Sequence, residues 1–165
     1  MSASPVRFRD PRSGIYEFLD SILVRCPRCE GVARVLAVPG EGARAALVAP
    51  RRLICRSCGP ARTRDKGWVA FCGSSQGPAR DPYFGAPLWL QTETRHGWLW
   101  AYNLRHLDLI RRFVAADLRE RAPWYDTGQK MTLLARLPAW IVSAKHRAEV
   151  LRALDRVRAS VVTPG

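Results

Sequence analysis

At 165 residues and 47% hydrophobic, the chain can bury one modest core. Its formal net charge of +13 and pI near 10.7 attract phosphate polyanions, and no stretch approaches the apolar length of a membrane span, which excludes a spanning role. Arg outnumbers Lys 24 to 3, and Ala, Gly, Pro and Val abound, so part of the charge is what a GC-rich genome gives almost any protein.

Residues 1–20 carry Arg7, Arg9, Asp10, Arg12 and Glu17 without an apolar run, so no export signal and a reducing cytoplasmic setting are expected. Segments 1–12 and 161–165 are expected to be disordered. Residues 13–20 read as a short helix or turn packing Ile15, Phe18 and Leu19. Ile22–Arg25 then leads as a strand into Cys26-Pro27-Arg28-Cys29.

A second Cys-x-x-Cys, Cys55-Arg56-Ser57-Cys58, follows after 25 residues. Each tight turn aims two sulfurs at one ion, and two turns complete the tetrahedron that Zn2+ prefers. With four thiolates no coordination position stays open, so one structural Zn2+ is the expected cofactor. The alternative, two disulfides, needs an oxidising compartment. Gly31 and Gly59, behind the two pairs, are expected to supply positive φ. Between the pairs, Val32–Val38 reads as a strand, Pro39-Gly40-Glu41-Gly42 as a hairpin tip, and Ala45–Ala49 with Arg51–Ile54 as the return. Trp68–Phe71 is expected as a third strand. Cys72 reads as a buried small hydrophobe after Phe71, and no local base supports a nucleophilic role.

The Gly- and Pro-rich stretch 73–87 reads as a join onto which Tyr83 and Phe84 dock. Leu88–Gln91 and Trp98–Tyr102 then pair across Thr92–Gly97, with Trp98, Trp100 and Tyr102 on one face. Such aromatics either stack bases or wall the core, and core packing is the favoured reading. Asn103 caps a helix over 104–121 with Leu104, Leu107, Ile110, Val114 and Leu118 inward. A shorter helix is expected over 129–136. Ser143 caps a last one over 144–160, with Ala148, Leu151, Leu154 and Val157 inward.

The densest basic cluster is Arg51, Arg52, Arg56, Arg62, Arg64 and Lys66, opposed only by Asp65. Astride a rigid metal turn, these side chains are candidates to contact phosphate, the alternative being a solvated loop face. His96, His106 and His146 are dispersed, and no hydrolase or phosphate-loop motif occurs, so no catalytic residue and no small-molecule substrate are inferred.

The CPRC and CRSCG knuckles resemble those of the zinc-ribbon superfamily, over about residues 22 to 72. The second half, with DPYFGAPLWLQ, GWLWAYNLRHL and LPAWIVSAKHR, is similar to small, uncharacterised bacterial zinc-ribbon-containing proteins. The resemblance implies an architecture whose members bind DNA, RNA or proteins, or only staple a fold. The expected fold is thus α+β: an antiparallel zinc ribbon within 13–72, the join at 73–87, and an aromatic hairpin packed on helices over 88–160. The expected function is non-catalytic nucleic-acid binding. The alternative is docking onto a larger protein complex, and an enzyme using Cys72 or the histidines is a distant third.

Overall fold

In this computed structural model residues 4–38, 45–59, 61–65, 69, 77–120 and 132–162 are described. The chain is mixed α+β. Arg7–Arg9 forms strand β1, which contradicts the expectation of disorder over 1–12; Phe8 is buried and meets Phe113 edge to face at 5.5 Å. A 3-10 turn, Ile15–Phe18, buries Phe18 as expected. Its Glu17 carboxylate accepts the Gly14 N–H at 3.0 Å.

The next four strands make one antiparallel sheet in chain order: β2 (Ser21–Arg25), β3 (Val32–Ala37), β4 (Arg51–Cys55) and β5 (Ala61–Arg64). In register, Ile22 opposes Val35 and Val35 opposes Leu53, so Ile22, Val24, Ala33, Val35, Leu53 and Cys55 share the inner face. The expected hairpin tip at 39–42 lies outside the described residues. Past it, Ala45–Val48 is a helical turn, α1, not the start of a strand. Of the strand expected over Trp68–Phe71, only Val69 is described. The outer strand is β5, seven residues earlier than expected at its start.

Asp81 turns the join into a docked segment. Its buried carboxylate accepts the amides of Tyr83, Phe84 and Ala86 at 2.9, 2.8 and 2.7 Å, closing a turn that seats the Tyr83 ring in the core. Leu88 then bridges Val24, placing 87–89 beside β2. The following hairpin pairs β6 (Gln91–Thr94) with β7 (Gly97–Trp100). Its turn is only Arg95-His96, shorter than the Thr92–Gly97 loop expected. The Thr94 hydroxyl holds it by donating to Gly97 O at 2.8 Å and accepting the His96 amide at 3.2 Å, while Gly97 takes φ 137°.

Helix α2 (Leu104–Ala115) starts where Asn103 predicts. Asn103 Oδ1 accepts the His106 amide at 3.0 Å, and its Nδ2 donates to Phe18 O and Ser21 O, tying the helix to the first sheet. It ends six residues before the predicted Arg121. Ala116 is extended, and β8 (Leu118–Glu120) pairs in parallel with β1. The Arg119 guanidinium donates to Phe113 O and Val114 O, satisfying the last helical carbonyls. Leu118, expected inward, is 45% exposed.

Of the helix expected over 129–136, the described part is a 3-10 turn at Leu134–Arg136. A further turn, α3 (Ala139–Val142), precedes a 3-10 turn at Ala144–His146 and the last helix, α4 (Arg147–Val162). Ser143 stands at the cap position but its side chain makes no cap hydrogen bond. The buried stripe of α4 is Val150, Ala153, Leu154 and Val157; Ala148 is exposed, because packing against α2 selects the stripe that continues through Val150. Buried residues from the sheet, the hairpin and the helices form one continuous core. Among the described residues, no helix is long and apolar enough to cross a membrane.

Candidate metal centre

Strand topology brings the two cysteine pairs together. One Cys-x-x-Cys joins β2 to β3 and the other follows β4 into β5. Since β3 and β4 run antiparallel, both turns fall at the same end of the sheet. The four Sγ atoms lie within 4.8 Å of one another, with Cys26 to Cys58 and Cys29 to Cys55 at 3.5 Å. A tetrahedral site with bonds of about 2.3 Å separates its sulfurs by roughly 3.8 Å, so the set is of the right size for one ion. Disulfide partners would stand at about 2.05 Å. Cys26 and Cys55 are buried, whereas Cys29 is exposed and Cys58 half-exposed. The cluster could hold one metal ion.

The two turns are built alike. Glu30 N donates to Cys26 O at 2.9 Å and Gly59 N to Cys55 O at 3.1 Å, and each donor sits in the left-handed region, φ 59° and 75°. Positive φ therefore falls at Glu30 in the first turn, not at Gly31 as expected. Gly31 packs against the second turn: a Cβ there would stand in van der Waals contact with Cys29 Sγ at 3.4 Å and Ser57 Oγ at 3.6 Å.

Backbone amides aimed at sulfur stabilise thiolate. The Cys58 amide brings the Cys55 thiol down to about 6, and the Cys29 amide lowers Cys26. Burial pushes Cys58 up to about 12. Cys29 is also raised, the pull of the Gly31 amide being outweighed chiefly by the Cys55 thiol. Four sulfurs this close cannot all ionise without a cation to balance them, which is the electrostatic case for metal.

The basic candidates separate. Arg51 is 1% exposed, donates to Leu19 O and to the Tyr83 hydroxyl (2.7 Å), and lies 4.0 Å from the Tyr83 ring centroid. It holds the core and is closed to phosphate, a correction to the sequence reading. Arg64 is half-buried and donates to Tyr83 O. Arg52, Arg56 and Arg62 are exposed, and Lys66 lies outside the described residues, as does Cys72.

Arg25 and Arg34, overlooked in the sequence, share the outer sheet face with Arg52. Arg25 opposes Val32, Arg34 follows two residues along β3, and Arg52 opposes Leu36 two residues further. The three form a diagonal row with Cα steps of roughly 8 Å. Arg25 lies over the Trp89 ring at 5.0 Å. Period-two counting back from Cys55 was the available signal: Leu53 and Arg51 follow Cys55 inward, and Arg52 falls outward.

The histidines are less dispersed than their spacing suggests. His96 and His146 stack at 4.1 Å, with His96 Nε2 3.5 Å from Glu149, while His106 is buried elsewhere. Asp108, two residues on from His106, points away from it and pairs with Arg158 on the surface. No protein-family model, no curated protein and no solved structure matches this chain.

Proposed function

We propose that the chain is a zinc-stabilised accessory protein that binds nucleic acid without catalysis, through the exposed arginines of a ribbon formed by β2–β5. Zinc is favoured because four thiolates with no open position suit a soft-tolerant tetrahedral ion, and such a site stabilises rather than reacts. The observation that carries the binding reading is the distribution of unpaired charge. Arg25, Arg28, Arg34, Arg52, Arg56 and Arg62 are exposed, and none is paired with a carboxylate among the described residues. In contrast, Arg95, Arg105, Arg111, Arg147 and Arg158 each form an ion pair. A sheet face and two adjoining turns with unneutralised guanidinium groups suit a phosphate backbone.

The test is binding of metal-loaded protein to labelled single- and double-stranded DNA and RNA, titrated through salt around 0.15 M on the order of physiological strength. We expect binding that weakens linearly on logarithmic axes. Replacing Arg34 and Arg52 together with alanine should flatten the slope by about two units. Absence of binding even at low salt would refute the reading in favour of docking onto a protein complex.

A further inference from the structure

The outer face of the first sheet carries more than charge. Leu88 bridges Val24, so the next residue, Trp89, stands opposite Leu23 and donates its amide to Leu23 O at 2.9 Å. Leu23 in turn opposes Arg34, and Arg34 opposes Ile54. Leu88 and Val24 are buried together, so the pleat turns Trp89 to the opposite face, the one that carries Arg25, Arg34 and Arg52. Trp89 and Arg34 are thus two strands apart, roughly 10 Å between Cα atoms. Half-buried Ile54 lies beside Arg34 and half-buried Leu36 beside Arg52, and no registered position of this face carries a carboxylate.

The Trp89 indole is held by its faces and not by its polar edge. It is half-buried, the Arg25 guanidinium lies 5.0 Å from its ring centroid, and its buried Nε1–H has no hydrogen-bond partner. A buried donor left unpaired costs free energy that a phenyl or alkyl side chain at this position would avoid. An indole is therefore a poor choice here for packing alone and a good one for stacking, because it offers the broadest aromatic face. The contact with Trp89 also orders the Arg25 side chain, and bases stack on guanidinium planes as well as on aromatic rings.

A duplex keeps its base faces inside and would show this sheet only phosphates and groove edges, leaving Trp89, Leu36 and Ile54 without an apolar partner. A single strand exposes flat bases and phosphates together, which matches a face where aromatic, apolar and cationic side chains alternate. We infer that the outer face of β2–β4 binds a single-stranded polynucleotide, RNA or DNA, with a base stacked at the Trp89–Arg25 pair and phosphates on Arg34 and Arg52. This assignment rests on the phosphate contacts proposed above and adds to them the strand state and the stacking residues.

The experiment is fluorescence anisotropy of the full metal-loaded chain at about 0.15 M salt with labelled oligonucleotides of about 12 residues. The probes are single-stranded RNA, single-stranded DNA, the DNA annealed to its complement, and an abasic strand of whichever sugar binds more tightly. We expect that single strand to bind at least about tenfold tighter than both the duplex and the abasic strand. Trp89→Ala, its fold checked by thermal melt, should remove most of the preference over the abasic strand. Arg25→Lys should do the same, because it keeps the charge of an exposed side chain and loses the guanidinium plane, and it decides the question if Trp89→Ala does not melt cooperatively. Trp98→Ala, on the β6–β7 hairpin, should leave the preference unchanged, and Arg34→Ala/Arg52→Ala should weaken normal and abasic strands alike. Duplex or abasic strand binding as tightly as the single strand overturns the inference and leaves the phosphate contacts standing, as does a preference that neither Trp89→Ala nor Arg25→Lys reduces. Absence of binding to every probe overturns both.

Discussion

Arg51 and Arg52 are adjacent and chemically identical, yet the pleat sends one into the core and the other to solvent. Arg51 closes a contact among Leu19, Tyr83 and β4, and burial lowers its pKa despite the neighbouring Tyr83 and Asp20. Arg51→Ala leaves the Leu19 carbonyl and the Tyr83 hydroxyl without this donor and opens space beside the ring. We expect a loss of about 3 kcal/mol in urea unfolding. Arg52→Ala should change stability by no more than about 0.5 kcal/mol while weakening nucleic-acid binding. If the two variants were equally stable, the assignment of Arg51 to the core would be wrong.

Helix α2 shows how much an element can carry beyond its own hydrogen bonds. Its first turn presents Asn103 to the 3-10 turn and β2, and buries His106 against Phe18, Trp100 and Tyr102. Desolvation holds His106 at about 3 against an ordinary value near 6.5, so below pH 6.5 the unfolded chain takes up a proton that the folded one refuses. This contribution is complete above pH 6.5 and is lost as pH falls towards 3, by about 5 kcal/mol in all. Measured unfolding free energies between pH 7 and 4 should fall less steeply in His106→Gln than in the parent. Parallel slopes would show that His106 is not held neutral. The start of α2 was legible because a cap is a local hydrogen bond. Its end was not, since β1, more than 100 residues away, draws residues 118–120 into a strand.

At the scale of the molecule, the four cysteines gather at one end of the first sheet. Metal binding to such a set is coupled to folding. Removing the ion with a strong chelator should therefore abolish the cooperative thermal transition of the sheet, with Cys55→Ser giving the same result. Retention of a full cooperative melt after verified metal loss would show that the shared core suffices. That outcome has a physical route, because Ile22, Val24 and Leu53 pack in the same core cluster as Leu107 and Leu154.

The amino-acid sequence by itself determined the four-cysteine cluster, the two turns, the docking of Tyr83, the cap at Asn103 and the mixed α+β class. All depend on spacings of a few residues or on a single period. Only the tertiary structure decided that Arg51 is a core residue, that Arg25, Arg34 and Arg52 share a face, that residues 7–9 pair with 118–120, and that His106 lines a cavity with Trp98 and Trp100. These depend on strand register and long-range packing, where a shift of one residue reverses which side chains are buried.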